Sequence, residues 1–231
     1  MENSKPEEVQ NRPAANHHYH HILHKVHDGC LPPPDPTGKN EHYKIMPFAT
    51  ELVYAGVKFV PGNEEGDLFK VKFNRPEGPF WWCHRASFEI PILVMEDSTE
   101  SFLRNLIAFE QCCPGVPQHF TSYAILMDML VDSDKDVQVL EKAGVVRNCL
   151  GASEDATNLF NKLCKEVVEG EFFFADICDR AHKYRRSFWP KNIAHVRRQY
   201  FASPWTFIAF CLAFCALGVG ITQFFRSFRQ P

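Results

Sequence analysis

Six histidines crowd into one short stretch, His17, His18, His20, His21, His24 and His27. Spacings of four, as between His17 and His21 or His20 and His24, put two imidazoles on one helix face, where helices can hold zinc. A closed structural site needs four ligands and groups that orient them, and the segment contains neither HExxH nor CxxC. The simpler reading is a polar-apolar helix with adventitious metal affinity, so no metal and no other cofactor is expected. Cys112 and Cys113 are adjacent, and Cys164 and Cys178 fall on expected helices. A nucleophilic cysteine needs a base and electropositive surroundings, whereas Glu110 and an acidic body surround these, which favours buried free thiols. With no GxSxG, P-loop or dinucleotide fingerprint in the chain, no catalytic residue is nominated. A cysteine- or metal-dependent hydrolase in an unfamiliar fold is the alternative.

Other residues suggest contact and not chemistry. Asn105, Glu110 and Gln111 interrupt an apolar helical pattern, and such groups must find partners or lose about 1 to 3 kcal/mol each. They read as holding neighbouring loops such as the CCPGVP turn, with a binding role as the other reading. Trp81 and Trp82 stand together in a turn-rich segment. Two consecutive indoles either anchor a partner, as aromatics do at interface hot spots, or pack over a sheet edge. Tyr184, Phe188, Ile193, Val196 and Tyr200 form a stripe flanked by Arg185, Arg186, Lys191, Arg197 and Arg198. That pattern suits a helix lying on an anionic membrane surface, or a helix of the soluble domain whose basic face sets topology.

The elements that must position these residues follow from periodicity. FATELVYAGV reads as a helix ending on Gly56. VKFV, LFKVKF and SFEIPILVM read as three strands, with Pro91 marking an edge or bulge. Helices are expected from DSTE at Asp97 to Glu100, where a capping box starts SFLRNLIAFEQC and turns Phe102, Leu103, Leu106 and Ile107 inward. QHFTSYAILMDMLV, SDKDVQVLEKAGV and SEDATNLFNKLCKEVV follow, the last with Ser153 as cap and Leu159, Phe160, Leu163 and Val167 inward. A further pattern from Phe173 to Phe201 is broken by Pro190. NHHYHHILHKVH before LPPPDP reads as a short helix.

The last part of the chain carries the clearest pattern. WTFIAFCLAFCALGVGITQFF, Trp205 to Phe225, lies in a stretch from Gln199 to Phe225 without Asp, Glu, Lys or Arg. As a helix it would run roughly 31 Å, close to the thickness of a bilayer core. Its large apolar residues, Phe210 and Phe214 among them, favour insertion by roughly 3 to 6 kcal/mol. Ala209, Ala213, Ala216 and Gly220 form a small-residue seam through which two copies could associate. The expectation is an α+β fold: a mainly helical soluble domain with a small β-sheet, plus one C-terminal transmembrane helix. Its parts are a His/Pro-rich segment at 1–46, the soluble domain at 47–200, the span at 201–226 and a short tail at 227–231. Charge is uneven: residues 1–179 carry 16 basic against 28 acidic side chains, and no acidic residue follows Asp179. Basic residues gathered beside the span argue against nucleic acid as a partner and place the body in the cytosol by the positive-inside tendency. The nine cysteines would then be mostly reduced. The expected partners are the lipid bilayer, an unidentified protein and a second copy through the span.

The order of segments carries a further reading. ATELVYAGVKF, EIPILVMEDSTESFLRNLIAFEQC, TSYAILMDML, NLFNKLCKEVV and YFASPWTFIAF before a terminal apolar run resemble, in that order, the plant family called domain of unknown function 247, of UPF0481 type. The resemblance covers about residues 47 to 226, and HILHKVH is similar to the family segment just upstream. It implies a tail-anchored, single-pass plant membrane protein with no established enzymatic activity. Because some members are linked to self-incompatibility in grasses, it also implies recognition or signalling through protein partners. Family members are typically much longer in their N-terminal part, so a truncated competitor of full-length relatives is a third reading.

Overall fold

A computed structural model describes residues 21–32, 45–62, 68–77, 85–168, 170–186 and 204–228. In chain order the elements are α1 (Ile22–Cys30), α2 (Ala49–Tyr54), β1 (Lys58–Pro61), β2 (Lys72–Asn74), β3 (Ser87–Ile90), β4 (Leu93–Met95), α3 (Asp97–Cys112), α4 (His119–Leu130), α5 (Asp134–Lys142), β5 (Val146–Asn148), α6 (Ser153–Leu163), α7 (Ala175–Arg186) and α8 (Pro204–Phe228). The described chain is mostly helical with two small sheets.

Alternation in the strands builds the first sheet. In the order β1-β3-β2, β3 runs parallel to β1 and antiparallel to β2. The register puts Phe59 and Phe73 on either side of Phe88. The three rings lie 5.6 Å apart, stacked on one side and edge-on on the other, and all are buried. SFEIPILVM, expected as one strand, is two. Pro91 has no amide hydrogen to donate to a ladder, and the chain leaves the first sheet there to form β4 in the second. Gly62 fits beside the bend: its N–H donates to Ile90 O at 2.8 Å, and a Cβ there would lie 3.3 Å from the Pro91 backbone. β4 pairs in parallel with β5, a three-residue strand too short to show a sequence pattern.

α4 is apolar nearly all round and buried from Phe120 to Met127, as expected of a helix at the centre of a helical core. α3 and α6 pack against it. α3 buries Leu103, Leu106, Ile107 and Glu110, while Phe102 stays 45% exposed. The α3 capping box begins one residue earlier than expected, at Glu96, whose N–H donates to Thr99 Oγ1 at 2.9 Å. α6 turns Leu159, Phe160 and Leu163 inward, and α7 contributes Ala175, Cys178, Ala181 and Tyr184 at helical spacing. α1 belongs to the segment assigned from sequence to a separate N-terminal region, yet it packs on α3.

The C-terminal transmembrane helix expected from the sequence is not supported. Among the described residues no helix is long and apolar enough to cross a membrane. α8 is helical from Pro204 to Phe228, with the side chains from Leu212 to Gln223 described. That stretch includes Gly218, Gly220, Thr222 and Gln223, and the Thr222 hydroxyl donates back to Val219 O at 2.8 Å.

Two buried polar groups differ in whether they find partners. Asp136 closes a capping box with Ser133 and also accepts the Thr50 N–H at 2.8 Å, tying α5 to α2. Burial alone would raise its pKa, but the bonds from Thr50 and Ser133 outweigh that and hold the carboxyl below its ordinary value. Its stabilisation is therefore complete above the ordinary value, about 3.9, and is lost as pH falls through the depressed one. Asp136→Asn should cost roughly 2–3 kcal/mol at neutral pH and flatten the acid limb of stability, measured by urea unfolding against pH. Tyr123, fully buried, has a hydroxyl without a hydrogen-bond partner among the described residues, and burial raises its pKa. Tyr123→Phe should leave the melting temperature unchanged or higher, because it removes a desolvated hydroxyl that gains nothing in return; a clear drop would mean the hydroxyl has a partner.

Candidate functional site

The most concentrated polar chemistry sits where α1, α3 and α4 meet. α1 starts with His21, whose Nδ1 accepts the Leu23 N–H at 3.2 Å. One turn after Leu23, His27 enters the core and is 1% exposed. Its Nε2 lies 2.8 Å from Oε1 of Glu110, a fully buried carboxylate on α3. Oε1 also accepts the Phe120 N–H at 2.9 Å. Oε2 accepts the Thr121 N–H at 2.7 Å and the Thr121 hydroxyl at 2.6 Å. The two amides belong to the first turn of α4, where N–H groups lack helical acceptors and the helix dipole favours an anion. Gln118, the residue before α4, makes no side-chain cap, so Glu110 caps this helix from another. Phe109 and Phe120 flank the imidazole at 5.3 and 5.6 Å.

An imidazole, a carboxylate and a hydroxyl in contact invite an acid–base reading, but the order is wrong for one. Activating the hydroxyl would require the imidazole against it, whereas ring and hydroxyl here both donate to the same carboxylate. His27, Glu110 and Thr121 are each at most 2% exposed, which leaves no path for a substrate. The arrangement joins three helices. Gln111, next along α3, holds another segment: its Nε2 donates to Val168 O and its Oε1 accepts the Val168 N–H, both at 3.1 Å. Asn105 faces solvent.

The described cysteines differ in their surroundings. Burial, with Asp179 adding to it, pushes the Cys178 thiol up to about 12, and burial also raises Cys30. Cys112 is exposed and Cys113 and Cys164 are half-buried, all as free thiols. Among the described residues no group of three or more His, Cys, Asp or Glu could hold a metal; His17, His18 and His20 lie outside them.

Trp81 and Trp82 also lie outside the described residues, as do Lys191, Arg197 and Arg198. Arg185 pairs with Glu51 of α2 at 2.8 Å, and Arg186 is exposed beside it. In α8 the side chains of Trp205, Phe210 and Phe225 are outside the described set; Phe214, Ala209, Ala213 and Ala216 are exposed, and nothing lies within 4 Å of a Cβ built on Gly220. The Arg185 contact and a second one, from His182 Nδ1 to Ile45 O at 3.2 Å, draw α7 against α2. Around this junction Ile45, Phe48 and Tyr54 are exposed, Ile45 by 77% and Tyr54 by 48%. A cleft of about 370 Å³ opens elsewhere, lined by Gly115, Val116, Pro117, Gln118, Gly170 and Glu171.

Sequence reasoning singled out Glu110 as needing partners but not which ones. Its signal was a carboxylate on the inward stripe of Leu103, Leu106 and Ile107. His27 was hidden among five other histidines, although it stands four residues after Leu23 on the inner face of α1.

A family model described as plant protein of unknown function, DUF247, matches residues 1–219. A putative UPF0481 protein of Arabidopsis thaliana is 28% identical over 181 residues, 78% of this chain and 32% of the relative. A second UPF0481 protein of the same plant is 23% identical over 210 residues, 89% of this chain and 41% of the relative. The chain thus spans less than half the length of these curated relatives. No solved structure matches.

Breaking the buried network should be costly, because removing one partner strands the other in the core. Glu110→Ala and His27→Ala should each lose about 3–5 kcal/mol. Hydrogen exchange at Phe120 and Thr121 should accelerate more in Glu110→Ala than in His27→Ala, since only the former removes the acceptor of those amides.

Proposed function

The chain belongs to the DUF247 family of plant proteins, and from that membership we propose that it is a protein-recognition module with no chemistry of its own. The observation that carries this reading is the exposed face at the α2–α7 junction. Ile45, Phe48 and Tyr54 are exposed on α2 and the residues just before it, and α2 also carries Glu51, the partner of Arg185. Aromatic and arginine side chains are the types that concentrate binding energy at interfaces. A tyrosine contributes large contact area for little lost side-chain freedom. The helices beneath are fixed by buried bonds, Thr50 to Asp136 among them, so the face is preorganised and loses little on binding.

The competing reading, a cysteine- or metal-dependent hydrolase, draws no support from a metal-ligand set among the described residues. Cys178 is buried and its thiol strongly protonated, and His27 is occupied by Glu110.

The test is quantitative affinity capture from plant extract with the full chain as bait. Tyr54→Ala combined with Arg185→Ala should reduce recovery of a reproducible partner by about tenfold or more, a loss of at least about 1.4 kcal/mol, with an unchanged circular dichroism spectrum. Recovery that ignores these changes, but falls on substituting Cys112 or Cys164, would sink the recognition face and revive the hydrolase.

A further inference from the structure

The segment after α6 is held in an unusual way. Lys165 N–H turns back to Lys162 O at 3.3 Å, and Glu166 then adopts φ +63°, a left-handed conformation that favours glycine over a side chain bearing a Cβ. Gln111 next clamps both backbone polar groups of Val168, much as a neighbouring strand would. The result is a valine displayed on a fixed backbone, 72% exposed. Two residues on, Gly170 forms a wall of the cleft of about 370 Å³, opposite the Gly115–Gln118 turn. A Cβ on Gly170 would meet Gln118 Oε1, the end of a flexible side chain that would have to shift to admit it. That oxygen is shielded and has no donor among the described residues. One surface therefore carries an apolar projection and a recess beside it.

Charge on the same surface is divided. Lys162, Lys165 and Glu166 are exposed, and none of the three forms an ion pair within its own molecule among the described residues. Lysines and a glutamate side by side complement their own image under a two-fold axis, as an isologous interface requires.

We propose that this surface is a two-fold interface between copies of this chain, in which Val168 of each copy enters the cleft of the other and Lys165 of each faces Glu166 of its partner. This explains why a strained position keeps a charged side chain when glycine would relieve it: strain retained at an exposed site points to a use for that residue. The interface lies on other elements than the recognition face around Tyr54, so the two can succeed or fail separately.

Sedimentation velocity on the full chain across a wide range of concentration tests this. The wild type should show a reversible monomer–dimer equilibrium. Val168→Asp should weaken it by about tenfold or more with an unchanged melting curve, since the side chain is exposed. Lys165→Glu and Glu166→Lys should each be monomeric alone, and a mixture of the two should form dimers, because each variant carries the charges the other lacks. Tyr54→Ala should leave the dimer intact. A wild type that is monomeric throughout, or a dimer indifferent to Val168→Asp and to both charge reversals, overturns the proposal. Should Val168→Asp unfold the chain, the charge-reversal mixture alone decides.

Discussion

One buried carboxylate holds the helical half of the molecule together. Glu110 leaves water completely and would be prohibitively unfavourable as an isolated anion in a core. Four donors make it tolerable: one ring N–H, two backbone amides and one hydroxyl. Each comes from a different requirement of the fold. The amides are the orphaned start of α4, the hydroxyl belongs to the same turn, and the imidazole arrives on α1, 83 residues earlier in the chain than Glu110. A single side chain thus sets where α4 begins, how α3 lies against it and where the N-terminal helix docks. A hydrophobic side chain in its place would fill the volume and leave the α4 amides unsatisfied.

The same economy appears in the other half. Asp136 caps its own helix while accepting Thr50 from α2, and Ser122 bridges α4 to the segment before α7 through Glu171 O and the Phe173 N–H. These bonds are shielded and directed at backbone, so they fix segments instead of meeting ligands. Facing outward are aromatic and aliphatic side chains near α2, a clamped valine after α6, and Lys162, Lys165 and Glu166, which form no ion pair among the described residues.

Much of this was legible in the residues, and the gaps have physical causes. Helix periodicity located α2 to α6 because long amphipathic runs report on burial directly. The phenylalanines of the first sheet were readable as strand positions, but not as one row, since register depends on pairing between distant segments. SFEIPILVM looks like one strand because its residues all favour extended structure; only the missing Pro91 amide and the close fit of Gly62 divide it. β5 was invisible, as three residues cannot display a period. The apolar run in α8 suggested a membrane span by its composition, yet the described helix does not meet the length and apolarity that crossing requires. Glu110 announced itself as a polar residue on an apolar stripe, whereas its partner His27 was lost in a crowd of equivalent histidines.

The parallel pairing of β4 with β5 bears on how the chain reaches its structure. Leu93 meets Val146 only after α3, α4 and α5 have been threaded between them, so the ordering entropy of that long loop must be met before the strands gain anything. Local helices can form on the chain alone; this ladder cannot nucleate anything. Assembly should therefore run from helix collapse around α4 to late zippering of the second sheet, an order that pulse-labelled hydrogen exchange would reveal as early protection in α4 and delayed protection at Leu93 and Cys149. A polypeptide ending before Val146 would carry α1 to α5 and lack the strand that pairs with β4.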